Sequence, residues 1–467
     1  MSSGGGGHDL VIVANRLPVQ RGTTPTDDWE TSPGGLVRAL FSLLHHRQGA
    51  WVGWLGTVGD APEPFEHEGV WLRPVRLSRT EVDQYYEGLS NEALWPLYHD
   101  AIRPSTFESA WWETYVRVNE RFAEAAAEEA AEGAVVWVHD YQLQLVPLFL
   151  RELRPDLRIG FFLHIPFPPQ ELFMRLPWRE EVLRGLLAAD VVGFQRRVAA
   201  ENFAAVARRL VEAEGEPPEL HFDGRTVQVG AFPISIDVAE FDEIARRPEI
   251  AARAAEFRHR LGDPHMIMLG VDRLDYTKGI DLRLEAYQSL LRDGELDPRR
   301  CVMVQVAVPT RDGIEYYQDE RRRVEQLVGE INGEFGAIGY PAVHYLHQSL
   351  PLEELIALYQ TADVMIVTPV RDGMNLVAKE FAASRVDEHG VLVLSEFAGA
   401  ADELTEAVLV NPHDHEAVQR AILDAVDMEP KEARVRMAAI RETVAASDVR
   451  HWASGFLTLL GVPSTSE

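Results

Sequence analysis

Met266-Ile-Met-Leu-Gly-Val-Asp-Arg-Leu-Asp-Tyr-Thr-Lys-Gly279 runs from an apolar stretch into a polar turn and then into the periodic apolar segment Ile280–Leu291. A short apolar run bounded by turn residues reads as a buried strand, and the 3.6-residue pattern after it as a helix. The same strand–turn–helix unit recurs downstream. Cys301–Val308, Val364–Thr368 and Val391–Ser395 read as strands, with helices over Leu352–Gln360 and Leu376–Ala383. Upstream, Leu10–Ala14, Ala134–Val138, Ile159–Leu163 and Asp190–Phe194 read as strands. Leu36–Leu44, Leu143–Leu153, Arg179–Ala188 and Val198–Glu214 carry helical patterns between or beside them. Strands that alternate with helices predict mainly parallel sheets. The pattern restarts after Gly230-Ala-Phe-Pro-Ile-Ser-Ile-Asp237, so the chain is read as α/β with two doubly wound domains, 9–236 and 237–446. Met1–His8 is expected to be a disordered tail. Arg434–Leu460 looks helical with a break near Ser447-Asp448, which makes 447–467 a separate C-terminal element.

A length of 467 residues suits two domains better than one core. No apolar run reaches the ~18 residues that span a bilayer, and the N-terminus lacks the basic-then-apolar pattern of a signal peptide. A single cysteine, Cys301, excludes an internal disulfide framework and argues against a Cys-based zinc site. A reducing cytoplasm is the expected compartment. Lys plus Arg number 45 against 74 Asp plus Glu, a formal net charge of −29. Such a surface repels nucleic acid and anionic membrane, so neither is expected as a partner. Phosphorylated substrates would need the few cations gathered at one place.

The turn after Met266–Val271 gathers two of them. Arg273 and Lys278 emerge where the strand ends, the edge at which doubly wound sheets bind ligands. Positive charge there suits a diphosphate leaving group, whose departing oxygen gains negative charge. An ion pair of Arg273 with Asp272 or Asp275 fits the same spacing. In Thr368-Pro-Val-Arg-Asp-Gly-Met-Asn-Leu-Val-Ala-Lys-Glu380 a strand ends, a glycine-containing loop follows, and a helix begins. Free N–H groups at that helix start attract anions. Glu380, about one turn in, is placed to accept hydrogen bonds from both hydroxyls of a ribose. A capped helix with an ordinary glutamate is the plainer alternative. Pro33-Gly34-Gly35 is a glycine turn before a helix. His139, Asp140 and His164 end apolar strands at the same kind of edge. Trp51, Trp54, Tyr85, Tyr86 and Trp95 supply aromatics that serve a sugar pocket or simply the core. P-loop, nucleophile-elbow and His-Glu-x-x-His patterns are absent, as is an Asp-x-Asp element after a strand. A metal-independent reaction is therefore expected, with no cofactor and no bound metal.

Taken in order from Asn15-Arg-Leu-Pro18 to Ser395-Glu-Phe-Ala-Gly-Ala400, these segments resemble the trehalose-6-phosphate synthase family of retaining glycosyltransferases. The Val271–Gly279 and Arg371–Glu380 segments are its most specific motifs. The resemblance implies two Rossmann-like domains facing a cleft (GT-B architecture), with 447–467 returning to the N-terminal domain, and nucleotide-glucose and glucose 6-phosphate as small-molecule substrates. It further implies that Arg273, Lys278 and the loop Asp372, Gly373, Met374, Asn375 and Leu376, continuing into Val377, bind the donor's diphosphate and glucose. Glu380 would hold the ribose, Gly34 and Gly35 would approach the donor, and His164 would contact its glucose. Arg16, Tyr86 and Arg311 would grip the acceptor phosphate, while Asp140, Trp54 and Trp95 shape its sugar pocket. Leu350 stands near the nucleobase where the family often has an aromatic, so the base stays open between uracil, adenine and guanine. A homo-oligomer, dimer or tetramer, is the expected assembly. Two alternatives stay open: a related enzyme with another acceptor, such as a glucosylglycerol-phosphate synthase or a pseudo-glycosyltransferase, and a silent sugar-phosphate sensor.

Overall fold

The computed structural model describes residues 7–21, 29–31, 37, 40, 41, 44, 49–59, 61–311 and 313–462. The chain forms two compact units, Met1–Ile234 with Arg450–Glu467, and Ser235–Val449. Each is built on its own sheet.

The sheet of the second unit has six strands among the described residues, all parallel. Across the sheet they run Val343–Leu346, Cys301–Val308, Met266–Arg273, Val364–Val367, Val391–Ser395, Val408–Val410. The chain starts in Met266–Arg273, builds outward to one side, then returns to build the other. This is the 3-2-1-4-5-6 order, and its switch point lies between Met266–Arg273 and Val364–Val367. The strands flanking that point are buried on both faces, as near-continuous apolar runs require. Helices Ile280–Arg292 and Leu376–Ser384 follow them in the chain.

The sheet of the first unit has ten strands among the described residues. Its parallel part runs Arg225–Ala231, Val191–Phe194, Arg158–Leu163, Ala130–His139, His8–Arg16, Ala50–Trp54, Val70–Pro74. Antiparallel hairpin strands close both edges. The switch point falls between His8–Arg16 and Ala130–His139, where Ala14 pairs with His139. His8 is part of the first strand, paired with Ala130, so the expected tail does not extend to it. Residues 1–6 lie outside the described residues, as does most of the expected Leu36–Leu44 helix.

After the helix Pro430–Ala446 the chain turns into Val449–Leu459, and from Arg450 onward it belongs to the first unit. Phe456 explains the docking. Gly160 and Gly193, on adjacent strands, leave a slot that this ring fills. A Cβ on Gly160 would stand 2.7 Å from Phe456 and one on Gly193 2.6 Å. The ring stacks on Trp137 at 4.7 Å, with an interplanar angle of 10°. Trp452, from the same helix, packs edge-on against Phe162 at 5.3 Å.

Candidate active site

At the switch point of the second sheet, two strand ends deliver opposite charges. The turn Tyr276–Lys278 follows Met266–Arg273, and Asp275 holds it by accepting from the Thr277 amide at 3.0 Å and the Thr277 hydroxyl at 2.9 Å. Gly279 closes the turn with φ 59°, where a Cβ would stand 2.3 Å from the Thr368 carbonyl. That left-handed, crowded position admits glycine alone without strain. The Val370 amide donates to the Thr277 carbonyl at 2.9 Å, tying this turn to the loop after Val364–Val367. Lys278 Nζ meets Asp372 Oδ2 at 2.5 Å as a result, both side chains largely buried.

Asp272 and Asp275, the carboxylates that the sequence leaves open for Arg273, bind other arginines: Asp272 pairs with Arg283 at 2.7 Å and Asp275 with Arg311 at 3.2 Å. Burial alone would raise the Asp275 carboxyl. Arg311, Arg273, the Thr277 amide and Lys278 together hold it below the usual carboxylate range. Arg273 ends its strand exposed. Arg311 has φ 50° and also bonds the Tyr317 hydroxyl. It sits in the second unit, whereas the other residues expected at the acceptor, Arg16, Trp54, Tyr86, Trp95 and Asp140, sit in the first.

The loop from Asp372 is held by main-chain bonds to the segment after Val391–Ser395. The Asp372 amide donates to the Phe397 carbonyl at 3.1 Å, and the Ala400 amide to the Met374 carbonyl at 3.1 Å. Asn375, at φ 110° and ψ 93°, caps the helix by accepting from the Ala378 amide at 3.1 Å. Its amide group donates to Asp372 at 3.2 Å. A non-glycine residue at such a φ is strained and persists only where its surroundings fix it. The helix Leu376–Ser384 thus starts beside Lys278 and Asp372, with Leu376 and Val377 in its first turn. Glu380, 8% exposed, accepts from the Tyr359 hydroxyl at 2.9 Å. Leu350 is half-buried just beyond Val343–Leu346, ahead of the helix Leu352–Thr361.

The first unit gathers its expected residues in two groups at its own switch point. Arg16 ends the first strand with its guanidinium 4.9 Å from the Trp54 ring centre, and Tyr86 meets Trp54 edge-on at 5.5 Å. Tyr86 comes from Val82–Leu94, a helical segment wound with π-type hydrogen bonds. Asp140, at φ 76°, ends Ala130–His139 and accepts from the His164 amide at 3.2 Å. Trp95 packs beside it on Tyr141 at 5.6 Å. Gly34 and Gly35 lie outside the described residues.

His164 and His139 form a pair, with Nε2 of the first 3.0 Å from Nδ1 of the second. Burial pushes the His164 imidazole down to about 3. Burial, then the neighbouring His164, pushes His139 well below its ordinary 6.5. Unfolded, both rings bind protons as pH falls through about 6.5; folded, they resist. The unfolded state therefore binds more protons in that window, and stability falls with pH by up to about 1.4 kcal/mol per pH unit for each ring. Replacing His139 by Asn is expected to make the loss of stability from about pH 6.5 to 4.5 shallower, read by denaturant titration. Identical slopes would show that the ring is not held neutral.

Gln195 escaped the sequence reading, while His139 was legible at the strand edge but not as the partner of His164. Gln195 had a readable signal, being the first polar residue after the apolar strand Val191–Phe194. Among the described residues, no group of three or more His, Cys, Asp or Glu side chains is placed to hold a metal ion. No helix among them is long and apolar enough to cross a membrane.

The family model described as glycosyltransferase family 20 matches residues 8–461. The chain belongs to glycosyltransferase family 20. A relative from Mycolicibacterium gilvum (strain PYR-GCK), named trehalose-6-phosphate synthase, is 55% identical over 469 residues, covering 97% of this chain and 93% of its own. A solved α,α-trehalose-phosphate synthase (UDP-forming) from Burkholderia xenovorans, in complex with glucose-6-phosphate, superposes with a TM-score of 0.89 at 34% identity, covering 97% of this chain and 100% of that one. A trehalose-6-phosphate structure from E. coli, bound with UDP-2-fluoro glucose, gives 0.88 at 33% identity, covering 97% and 99%. The α/β fold is thus that of these solved structures.

Proposed function

We propose that the chain transfers glucose from a nucleotide-glucose donor, UDP-glucose foremost, to glucose 6-phosphate, giving α,α-trehalose 6-phosphate and a nucleoside diphosphate. ADP- and GDP-glucose are the other donors to be tested. The observation that carries this reading is the meeting of Lys278 with Asp372 at the switch point of the second sheet, beside Arg273 and the capped start of Leu376–Ser384. The near-full-length likeness to relatives named trehalose-6-phosphate synthase supports the choice of substrates.

In this reading the acceptor hydroxyl attacks the anomeric carbon on the face from which the phosphate leaves. The new C–O bond forms as the old one breaks, and the hydroxyl proton passes to the departing phosphate oxygen, so configuration is retained. Arg273 and Lys278 take up the charge that develops there, and catalysis is mostly placement and electrostatics. Glu380 accepts from the ribose, and the loop Asp372–Leu376 holds the diphosphate and glucose. His164 contacts that glucose. Arg16, Tyr86 and Arg311 are assigned to the acceptor phosphate, and Trp54, Trp95 and Asp140 to its sugar.

The test incubates the full chain with glucose 6-phosphate and each donor in excess chelator. Trehalose 6-phosphate and released nucleoside diphosphate are expected without added metal, and relative rates rank the bases. Activity that vanishes on chelation and returns only with magnesium or manganese would overturn the cation role given to Arg273 and Lys278. Transfer to other acceptors but not to glucose 6-phosphate would overturn the acceptor assignment.

A further inference from the structure

We propose that Gln195 and His139 are positioning residues that lock His164 as a neutral imidazole with its hydrogen on Nε2, through a one-way hydrogen-bond chain anchored on the main chain at Ile234. The chain begins at a group whose direction is fixed. The Ile234 amide is an N–H and can only donate, and it meets Gln195 Oε1 at 2.9 Å. Turning the Gln195 side-chain amide over would set its NH2 against that N–H, so its oxygen must face Ile234. Its nitrogen then faces His164 Nδ1 at 3.3 Å and donates to it. Nδ1 of His164 therefore carries a lone pair. A neutral imidazole with no hydrogen on Nδ1 has it on Nε2, and that nitrogen lies 3.0 Å from His139 Nδ1. His139 Nδ1 accepts in turn, which places the hydrogen of His139 on its own Nε2. Reversing any link would set two donors or two lone pairs against each other.

Among the described residues, aromatic rings pack against the His164 imidazole. Phe162 stands 4.7 Å from the ring centre and Trp452, from the returning helix, 6.1 Å. The Asp140 carboxylate is engaged with the main-chain N–H of His164. Gln195 is 4% exposed and His139 1%, so water has little access to either link. The anchor also has a place in the fold, because Ile234 is the last residue of the first unit before the chain passes to Ser235.

Only the consequence for turnover rests on the proposed activity, since both ring nitrogens of His164 are already engaged. His164 as a residue is only partly buried, so the lock leaves it within reach of a sugar, its ring held in one orientation.

Histidine-selective 15N labelling of the full chain tests the lock directly. The His164 and His139 signals are identified by their loss in His164→Asn and His139→Asn. Two-bond proton–nitrogen correlations should show Nδ1 unprotonated and Nε2 protonated in both rings at neutral pH. Gln195→Glu exchanges the donor facing His164 for an acceptor. His164 should then gain a hydrogen on Nδ1 and titrate nearer the ordinary range, and kcat should fall ~10-fold or more, within the ~100-fold that a small misplacement at a site can cost. A hydrogen on Nδ1 of His164 in the unaltered protein would overturn the proposal even if Gln195→Glu does not fold. So would a Gln195→Glu protein whose His164 signals are unchanged. Absence of glucosyl transfer together with the expected nitrogen pattern would sink the proposed activity and leave the lock standing.

Discussion

Replacing Lys278 by Ala is expected to lower kcat by at least ~100-fold, about 2.7 kcal/mol of transition-state stabilisation. The main chain at this residue is held independently of its side chain. The Lys278 amide donates to the Asp275 carbonyl at 2.9 Å, and Arg283 donates to the Lys278 carbonyl at 2.7 Å. The variant should therefore fold, and the defect should lie in chemistry. What it loses is a cation 2.5 Å from Asp372 where the two central strands end. Asp372, 15% exposed in its side chain, is then left without that counter-charge where the proposed diphosphate would bind. Removing a charge that matters only as the leaving group departs lowers kcat and kcat/KM equally, whereas removing general binding raises KM alone. Arg273→Ala should behave in the same way, because in the proposed reaction it acts on the same developing charge from the end of Met266–Arg273. Steady-state kinetics with glucose 6-phosphate and UDP-glucose decide it. Turnover close to the unaltered protein in either variant, with folding intact, would remove that residue from the leaving-group role.

The features that the sequence made legible share one property: they repeat a strong local pattern. Cys301–Val308 and Val391–Ser395 stand in the sheet with the bounds read from their apolar patterns, because strands covered on both faces are nearly continuous in Val, Leu and Met, with buried Gln305 interrupting the first. The break near Ser447-Asp448 separates two helices for a similar reason, since the polar pair interrupts the periodicity. Edge strands were not legible. Val343–Leu346 carries His344 and Tyr345 and is only partly buried, and Val408–Val410 has three residues. Ala50–Trp54 was read as aromatics alone, yet it is buried throughout and pairs with the first strand. The long helix Ser109–Glu129 hides because its buried face joins Tyr115 and Phe122 to Ala, Thr, Asn and Val, without the Leu or Ile that make a helical stripe plain. In the site, Arg273 and Lys278 were readable as polar residues just past a buried strand. Their partners were not. Asp372 lies far along the chain from Lys278, and Arg283 reaches Asp272 from the following helix. Such pairings follow from strand order, which local periodicity does not encode.

Phe456→Ala is expected to destabilise the first unit by about 3–5 kcal/mol, the range for truncating a fully buried aromatic. The ring is completely buried, and three neighbours define its slot: Trp137 stacked at 4.7 Å, with Phe162 at 5.7 Å and Phe232 at 5.2 Å both edge-on. The bare backbones of Gly160 and Gly193 line it as well and cannot move in to fill the space. The cavity should therefore persist, and its cost adds to the lost transfer energy. Val435→Ala is the control, since Val435 is 64% exposed on Pro430–Ala446 and should change stability by no more than about 0.5 kcal/mol. Trp452, one helical turn before Phe456, also packs 6.1 Å from His164. Loosening the helix should thus disturb turnover as well as melting. Denaturant titration of both variants reads the difference. A loss below about 1 kcal/mol for Phe456→Ala would mean that the aromatic slot does not hold the returning helix.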